Sequence, residues 1–192
     1  MTQSPHLTDR FDRALAYASA AHREQKRKGS NIPYVSHLLG VAAIALENGA
    51  DEDQTIAALL HDAVEDQGGA ARLADIRAAF GERVANIVAH CTDTDVEPKP
   101  PWRPRKEAYI AHLSSAPRDA LEVSLADKTH NASAIVADLH CHGQAIWERF
   151  TGGHEGSLWY YRTLSDRFCE LIPGPGSDRL ARLVEEMERL SA

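Results

Sequence analysis

His61-Asp62 is followed three positions on by Glu65-Asp66, inside an apolar-periodic segment running from Ile56 to Asp66. Ile56, Leu59, Leu60, Ala63 and Val64 mark a buried helical side. The imidazole and three carboxylates, at i, i+1, i+4 and i+5, share the other. Groups this close repel one another and resist burial. A divalent cation removes that cost, because it favours ionised carboxylates and neutral imidazole. Taken alone, the cluster reads equally well as a solvated helix face with a polar last turn. Carboxylates at a helix C-terminus oppose the macrodipole, which tilts the reading towards function.

Three further segments carry candidate chemistry. Asp127 follows Val123, Leu125 and Ala126 inside a long apolar-periodic stretch, with Asn131 one turn on. A lone buried carboxylate is costly unless it is paired or ligates a metal, and a salt bridge is the simpler explanation. His37 sits in the first turn of the apolar segment Val35-Ser36-His37-Leu38-Leu39, where a single histidine ordinarily reads as a satisfied core residue. Arg23, Lys26, Arg27 and Lys28 place four cations in six positions. They read either as a solvated helix end complementing the dipole or as a phosphate clamp.

The elements that must position these residues read as helices nearly throughout, since apolar residues recur at three- and four-residue spacing. The pattern predicts helices over 8–26, 35–48, 51–66, 71–80, 82–90, 117–139, 157–171 and 177–191. Gly29-Ser30-Asn31-Ile32-Pro33 breaks the first, and Gly49 ends the second. Pro98, Pro100, Pro101 and Pro104 predict a loop over 97–104. Lys99, Arg103, Arg105 and Lys106 of the stretch 96–106 could reach phosphates but read more simply as solvated. No run of strands is visible, so the fold class is all-α and the chain, 1–192, a single domain.

Composition narrows the function. The 192 residues carry 30 alanines against 12 glycines, which suits helix. The net charge of −7 argues against a nucleic-acid binder. Cys91, Cys141 and Cys169 form no CxxC pair and predict a reducing compartment. The polar N-terminus has no apolar signal core, and no apolar run is long enough to span a bilayer, so the expected setting is cytoplasmic. Oligomeric state is not readable. His140-Cys141-His142 lacks a second ligand pair at zinc spacing and reads as a helix-end surface cluster.

Together the segments are stronger than apart. His22 through Lys28, Pro33-Tyr34 with His37, Leu60 through Asp66, and Leu125-Ala126-Asp127-Lys128 with Asn131 resemble the HD superfamily of metal-dependent phosphohydrolases. Within it they resemble the alarmone hydrolases, both the hydrolase domain of bifunctional stringent-response enzymes and the stand-alone small alarmone hydrolases. Phe80-Gly81 and Thr92-Asp93 fall at similar family positions, and the likeness covers about 10–170.

The resemblance implies an HD-domain helical bundle binding one divalent ion, most often Mn²⁺, through His37, His61, Asp62 and Asp127. It implies Glu65 and Asp66 as the catalytic acidic pair, and Arg27, Lys28 and Asn131 as substrate contacts. The implied reaction removes the 3′-pyrophosphate of guanosine tetra- or pentaphosphate, giving GDP or GTP plus pyrophosphate. Adenosine alarmones and the 2′-phosphate of NADPH are alternative substrates. A general HD nucleotidase would not need the Arg27, Lys28 and Asn131 contacts. A catalytically silent alarmone sensor is disfavoured by intact ligands and an intact acidic pair. The implied partner is a small nucleotide, with neither nucleic acid nor membrane. A tyrosine of Trp159-Tyr160-Tyr161 could close the ribose side, though core packing is the simpler role.

Overall fold

The computed structural model describes residues 6–94 and 98–192. Helix α1 (Asp9–Ala21) starts at Thr8, whose hydroxyl accepts the Arg10 amide. It stops short of the predicted Lys26. The chain then turns back on itself through Gly29 (φ +73°), where Lys26 bridges Pro33, the Arg27 amide donates to the Ile32 carbonyl and the Tyr34 amide to that of Gln25. The basic run therefore lies on a turn, and its cations do not complement a helix end. Helix α2 (Val35–Glu47) follows at once.

Helix α3 (Glu52–Leu60) begins with a reciprocal capping box between Asp51 and Gln54. The pattern predicts one helix as far as Asp66, but the chain breaks at His61-Asp62 and restarts as α4 (Ala63–Gln67). The His61 ring folds back to bond the Ala58 carbonyl at 2.8 Å, occupying an acceptor near the end of α3. Glu65 and Asp66 thus lie in the first turn of a new helix, and the expectation that they oppose a macrodipole does not hold.

Helices α5 (Gly69–Phe80), α6 (Glu82–Cys91), α7 (Trp102–Leu113) and α8 (Arg118–His142) come next. Position 97 of the predicted proline loop lies outside the described residues. The rest of that stretch differs from expectation, because helix begins at Trp102 and includes Pro104. That proline is the third helical residue, where an amide has no intrahelical partner to lose. The Trp102 indole anchors this start by lying close against Gly152, and the Arg103 guanidinium lies 3.3 Å from the centre of the Trp159 ring. A 3₁₀ segment (Gly143–Arg149), α9 (Gly153–Leu171) and α10 (Pro175–Ser191) complete the order. All named elements among the described residues are helical, as the all-α expectation requires. No helix is long and apolar enough to cross a membrane.

Two apolar clusters form the interior. One gathers α1 to α6, and the other gathers α7, α9, α10 and the 3₁₀ segment. Helix α8 belongs to both: Val123 and Ala126 face the first, Leu125, Ile135 and Leu139 the second. Phe168 is fully buried in the second cluster. We expect Phe168→Ala to lower the unfolding free energy by about 3–5 kcal/mol, read from urea denaturation. A loss under about 1 kcal/mol would mean that this cluster is loosely packed.

Candidate functional site

Helix α2 supplies His37, the end of α3 supplies His61, the break supplies Asp62, and α8 supplies Asp127. The four sequence-predicted ligands meet. One ligand atom each from His37, His61 and Asp127 lies within 4.8 Å of the other two. The Asp127 Oδ1 is 3.2 Å from His37 Nε2 and 3.6 Å from His61 Nε2. The Asp62 Oδ2 is 3.4 Å and 3.0 Å from the same two nitrogens. Both histidines are almost wholly buried, and their Nε2 atoms have no hydrogen-bond partner of good geometry. Buried polar atoms without partners are expensive. Two converging imidazole nitrogens and the Asp127 carboxylate, with Asp62 beside the two nitrogens, suit a divalent cation.

The far side of each ring is also held. His61 Nδ1–H donates to the Ala58 carbonyl, and His37 Nδ1 is 2.9 Å from His130 Nδ1. The Tyr34 hydroxyl donates to Asp62 Oδ2 at 2.6 Å. Burial, reinforced by Asp62, pushes that phenol far up, so it stays a donor. Burial opposes ionisation of Asp127, but Lys128, 2.6 Å from its Oδ2, and the two histidines hold its carboxyl well below the usual range. Lys128 pairs with one oxygen of Asp127, while the other faces the two histidines. Burial likewise works against charging His61, yet Asp62 and Asp127 raise its proton affinity well above the ordinary value.

Glu65 and Asp66 border this cluster in a 230 Å³ pocket that also reaches Asp93, Lys106 and Lys128. Glu65 Oε1 accepts from Lys99 at 2.9 Å, and Asp66 Oδ2 accepts from Gln25 at 2.8 Å. A second pocket of 550 Å³ adjoins it, and Arg27, Tyr34 and Asn131 line both. Lys28 and Tyr161 line the larger one. Arg27 Nη2 donates to Asn131 Oδ1 at 2.8 Å, and Asn131 Nδ2 donates to Asp127 Oδ1. A bonded path therefore runs from the basic turn to the carboxylate cluster. The aromatic triplet divides: Tyr161 faces the pocket, while Trp159 and Tyr160 pack with Trp102.

Several participants escape sequence reasoning. The Asp93 side chain is 7% exposed and paired with Arg105 and Lys106, and Lys99 is paired with Glu65. These three cations are therefore not simply solvated, as the proline-rich reading expects. Tyr34 stands inside the Pro33-Tyr34 motif and His130 just before Asn131, but only contacts spanning 28 and 93 positions reveal what they touch. We expect EDTA-treated protein to gain thermal stability on adding a divalent ion, by about 2.7 kcal/mol at a hundredfold excess over Kd. Asp127→Ala should abolish that gain in a melting experiment; an undiminished gain would locate the ion elsewhere.

Comparison with known proteins agrees with this geometry. The frog (Xenopus tropicalis) guanosine-3′,5′-bis(diphosphate) 3′-pyrophosphohydrolase MESH1 is 38% identical over 121 residues, 62% of this chain and 65% of that protein. The Aquifex aeolicus guanosine-3′,5′-bis(diphosphate) 3′-pyrophosphohydrolase is 40% identical over 92 residues, 48% of this chain and 13% of that protein. The chain thus spans less than two thirds of either relative. A solved metazoan orthologue of SpoT, described as hydrolysing ppGpp, superposes with a TM-score of 0.73 at 26% identity, covering 96% of both chains. The Listeria monocytogenes protein lmo0812 superposes at 0.69 with 33% identity, covering 78% of this chain and 96% of that one. The family model described as HD domain matches residues 14–156. That span encloses His37, His61, Asp62 and Asp127 and the acidic pair beside them, and the chain belongs to the HD domain family.

Proposed function

We propose that this chain is an alarmone hydrolase, which removes the 3′-pyrophosphate of guanosine tetra- or pentaphosphate and releases GDP or GTP with pyrophosphate. The observation that carries the reading is the contact between two pockets. A His-His-Asp cluster with an acidic pair beside it opens onto a cavity bordered by Arg27, Lys28 and Asn131. The printed activities of the frog and Aquifex relatives support it. We assign His37, His61, Asp62 and Asp127 as ligands and Mn²⁺ as the ion. The choice of Mn²⁺ rests on the resemblance to alarmone hydrolases, since two imidazoles and two carboxylates also suit Fe or Zn. We treat the chain as one HD-type domain, because α8 is built into both apolar clusters, and we assign it to the cytoplasm with the nucleotide pool.

When bound, the cation supplies charge neutralisation and makes nearby water more acidic. The protein's own groups do the remaining work. Arg27 and Lys28 attract the nucleotide's phosphates and position it. Asn131 holds Arg27 and Asp127 in register. The Glu65–Asp66 pair takes a proton from the attacking water and returns one to the ribose 3′ oxygen. The water oxygen bonds to the phosphorus at the 3′ position, the bond from that phosphorus to the ribose oxygen breaks, and pyrophosphate departs.

The deciding experiment is one substrate panel run with Mn²⁺: guanosine and adenosine 3′-pyrophosphates, NADPH and plain nucleotides, with products separated by ion exchange. Pyrophosphate and GDP from guanosine tetraphosphate are expected. Turnover confined to plain nucleotides would replace this reading with a general nucleotidase.

Two variants test the roles. Glu65→Gln should keep the metal and lose roughly 10²–10⁴ in kcat; parallel loss of metal would make Glu65 a ligand instead. Arg27→Ala should chiefly raise KM, and a fall in kcat with KM unchanged would contradict its assignment to binding.

A further inference from the structure

His37 and His61 present the same ring nitrogen to the cluster but are anchored differently. His61 leans on a backbone carbonyl of its own helix. His37 leans on another side chain, with Nδ1 2.9 Å from the Nδ1 of His130 on α8. For His37 Nε2 to offer a lone pair, its ring proton must sit on Nδ1. His130 Nδ1 must then be the acceptor of that N–H. The partner that fixes a ligating imidazole in this way commonly governs metal affinity.

His130 can stand there only because of Gly40. This residue lies in the middle of α2, one turn beyond His37, where glycine is a poor helix former. A Cβ at position 40 would lie 2.2 Å from both Cδ2 and Nε2 of the His130 ring. The ring is bonded to His37 on one edge and pressed onto the bare helix backbone on the other. It cannot yield to a methyl group without moving off His37. The same ring also borders the 550 Å³ pocket.

We propose that His130 is a positioning residue for the ligand His37, and that Gly40 is the notch in α2 that admits it. The proposal rests on the assignment of His37 as a metal ligand. It accounts for a mid-helix glycine that backbone conformation does not require, since Gly40 is absent from the positive-φ glycines.

The test uses the full chain, stripped of metal and titrated with Mn²⁺ alone, without substrate. Affinity is read by calorimetry and folding by the melting curve of the metal-free protein. Gly40→Ala and His130→Ala should each weaken Mn²⁺ binding roughly 10- to 100-fold. In the His130→Ala background, Gly40→Ala should cost no further affinity and should raise the melting temperature of the metal-free protein. His130→Asn, whose side-chain oxygen can accept from His37, should recover most of the lost affinity. Wild-type affinity in either single variant would overturn the proposal. So would equal losses for His130→Ala and His130→Asn, or additive losses in the double variant. If Gly40→Ala does not fold, the comparison of His130→Ala with His130→Asn decides the outcome. If the wild-type protein binds no Mn²⁺, the metal assignment under Proposed function falls as well; intact wild-type binding with unaffected variants overturns the positioning role alone.

Discussion

Asp62 and Asp127 face one another across two buried imidazoles, in a place with little water to screen them. Like charges in a poorly hydrated place repel more strongly than they do in water. The surroundings offset part of this. Lys128 takes one oxygen of Asp127, Asn131 the other, and the Tyr34 hydroxyl bonds Asp62. The Nε2 atoms of His37 and His61 remain without good partners at the centre. A divalent cation at that centre would satisfy them.

Holding such a site together against its own repulsion requires rigid mounts, and the two apolar clusters provide them. Helix α8 is the common member. Asp127 lies between residues that face different cores, so the carboxylate is fixed by packing on both sides. The break after α3 does the same for His61 and Asp62. A continuous helix would spread their side chains at about 100° per residue. The interruption lets Asp62 turn its oxygen to within 3.0 Å of His61 Nε2 while Ala58 holds the other side of the ring.

The two pockets share a wall, which ties the basic turn to the carboxylate cluster. Arg27 comes from the turn after α1 and Asn131 from α8, and their bond closes the site across 104 positions of chain. The basic turn is therefore linked to Asp127 through a single asparagine. Helix α7 adds a second wall. Its start, anchored by Trp102, places Arg105 and Lys106 on the Asp93 carboxylate, beside Glu65 and Lys99.

Much of this was legible in the chain itself. Three- and four-residue periodicity reports which face of a segment meets the core, and it predicted the helices around His37 and Asp127. The resemblance to alarmone hydrolases singled out the four clustered side chains and the basic run, which segment by segment read as readily as core, salt bridge or solvated helix end. Periodicity and proline content missed two local features. Periodicity continued through 51–66, but a side-chain bond to Ala58 ended α3 at the histidine. Prolines argued for a loop to Pro104, but its first-turn position made the missing amide harmless. The pairing of His130 with His37 over Gly40, of Tyr34 with Asp62, and of Asp93 with Lys106 had no signature in composition or spacing. Each depends on two segments arriving side by side, and only the packed fold determines which side chains then touch.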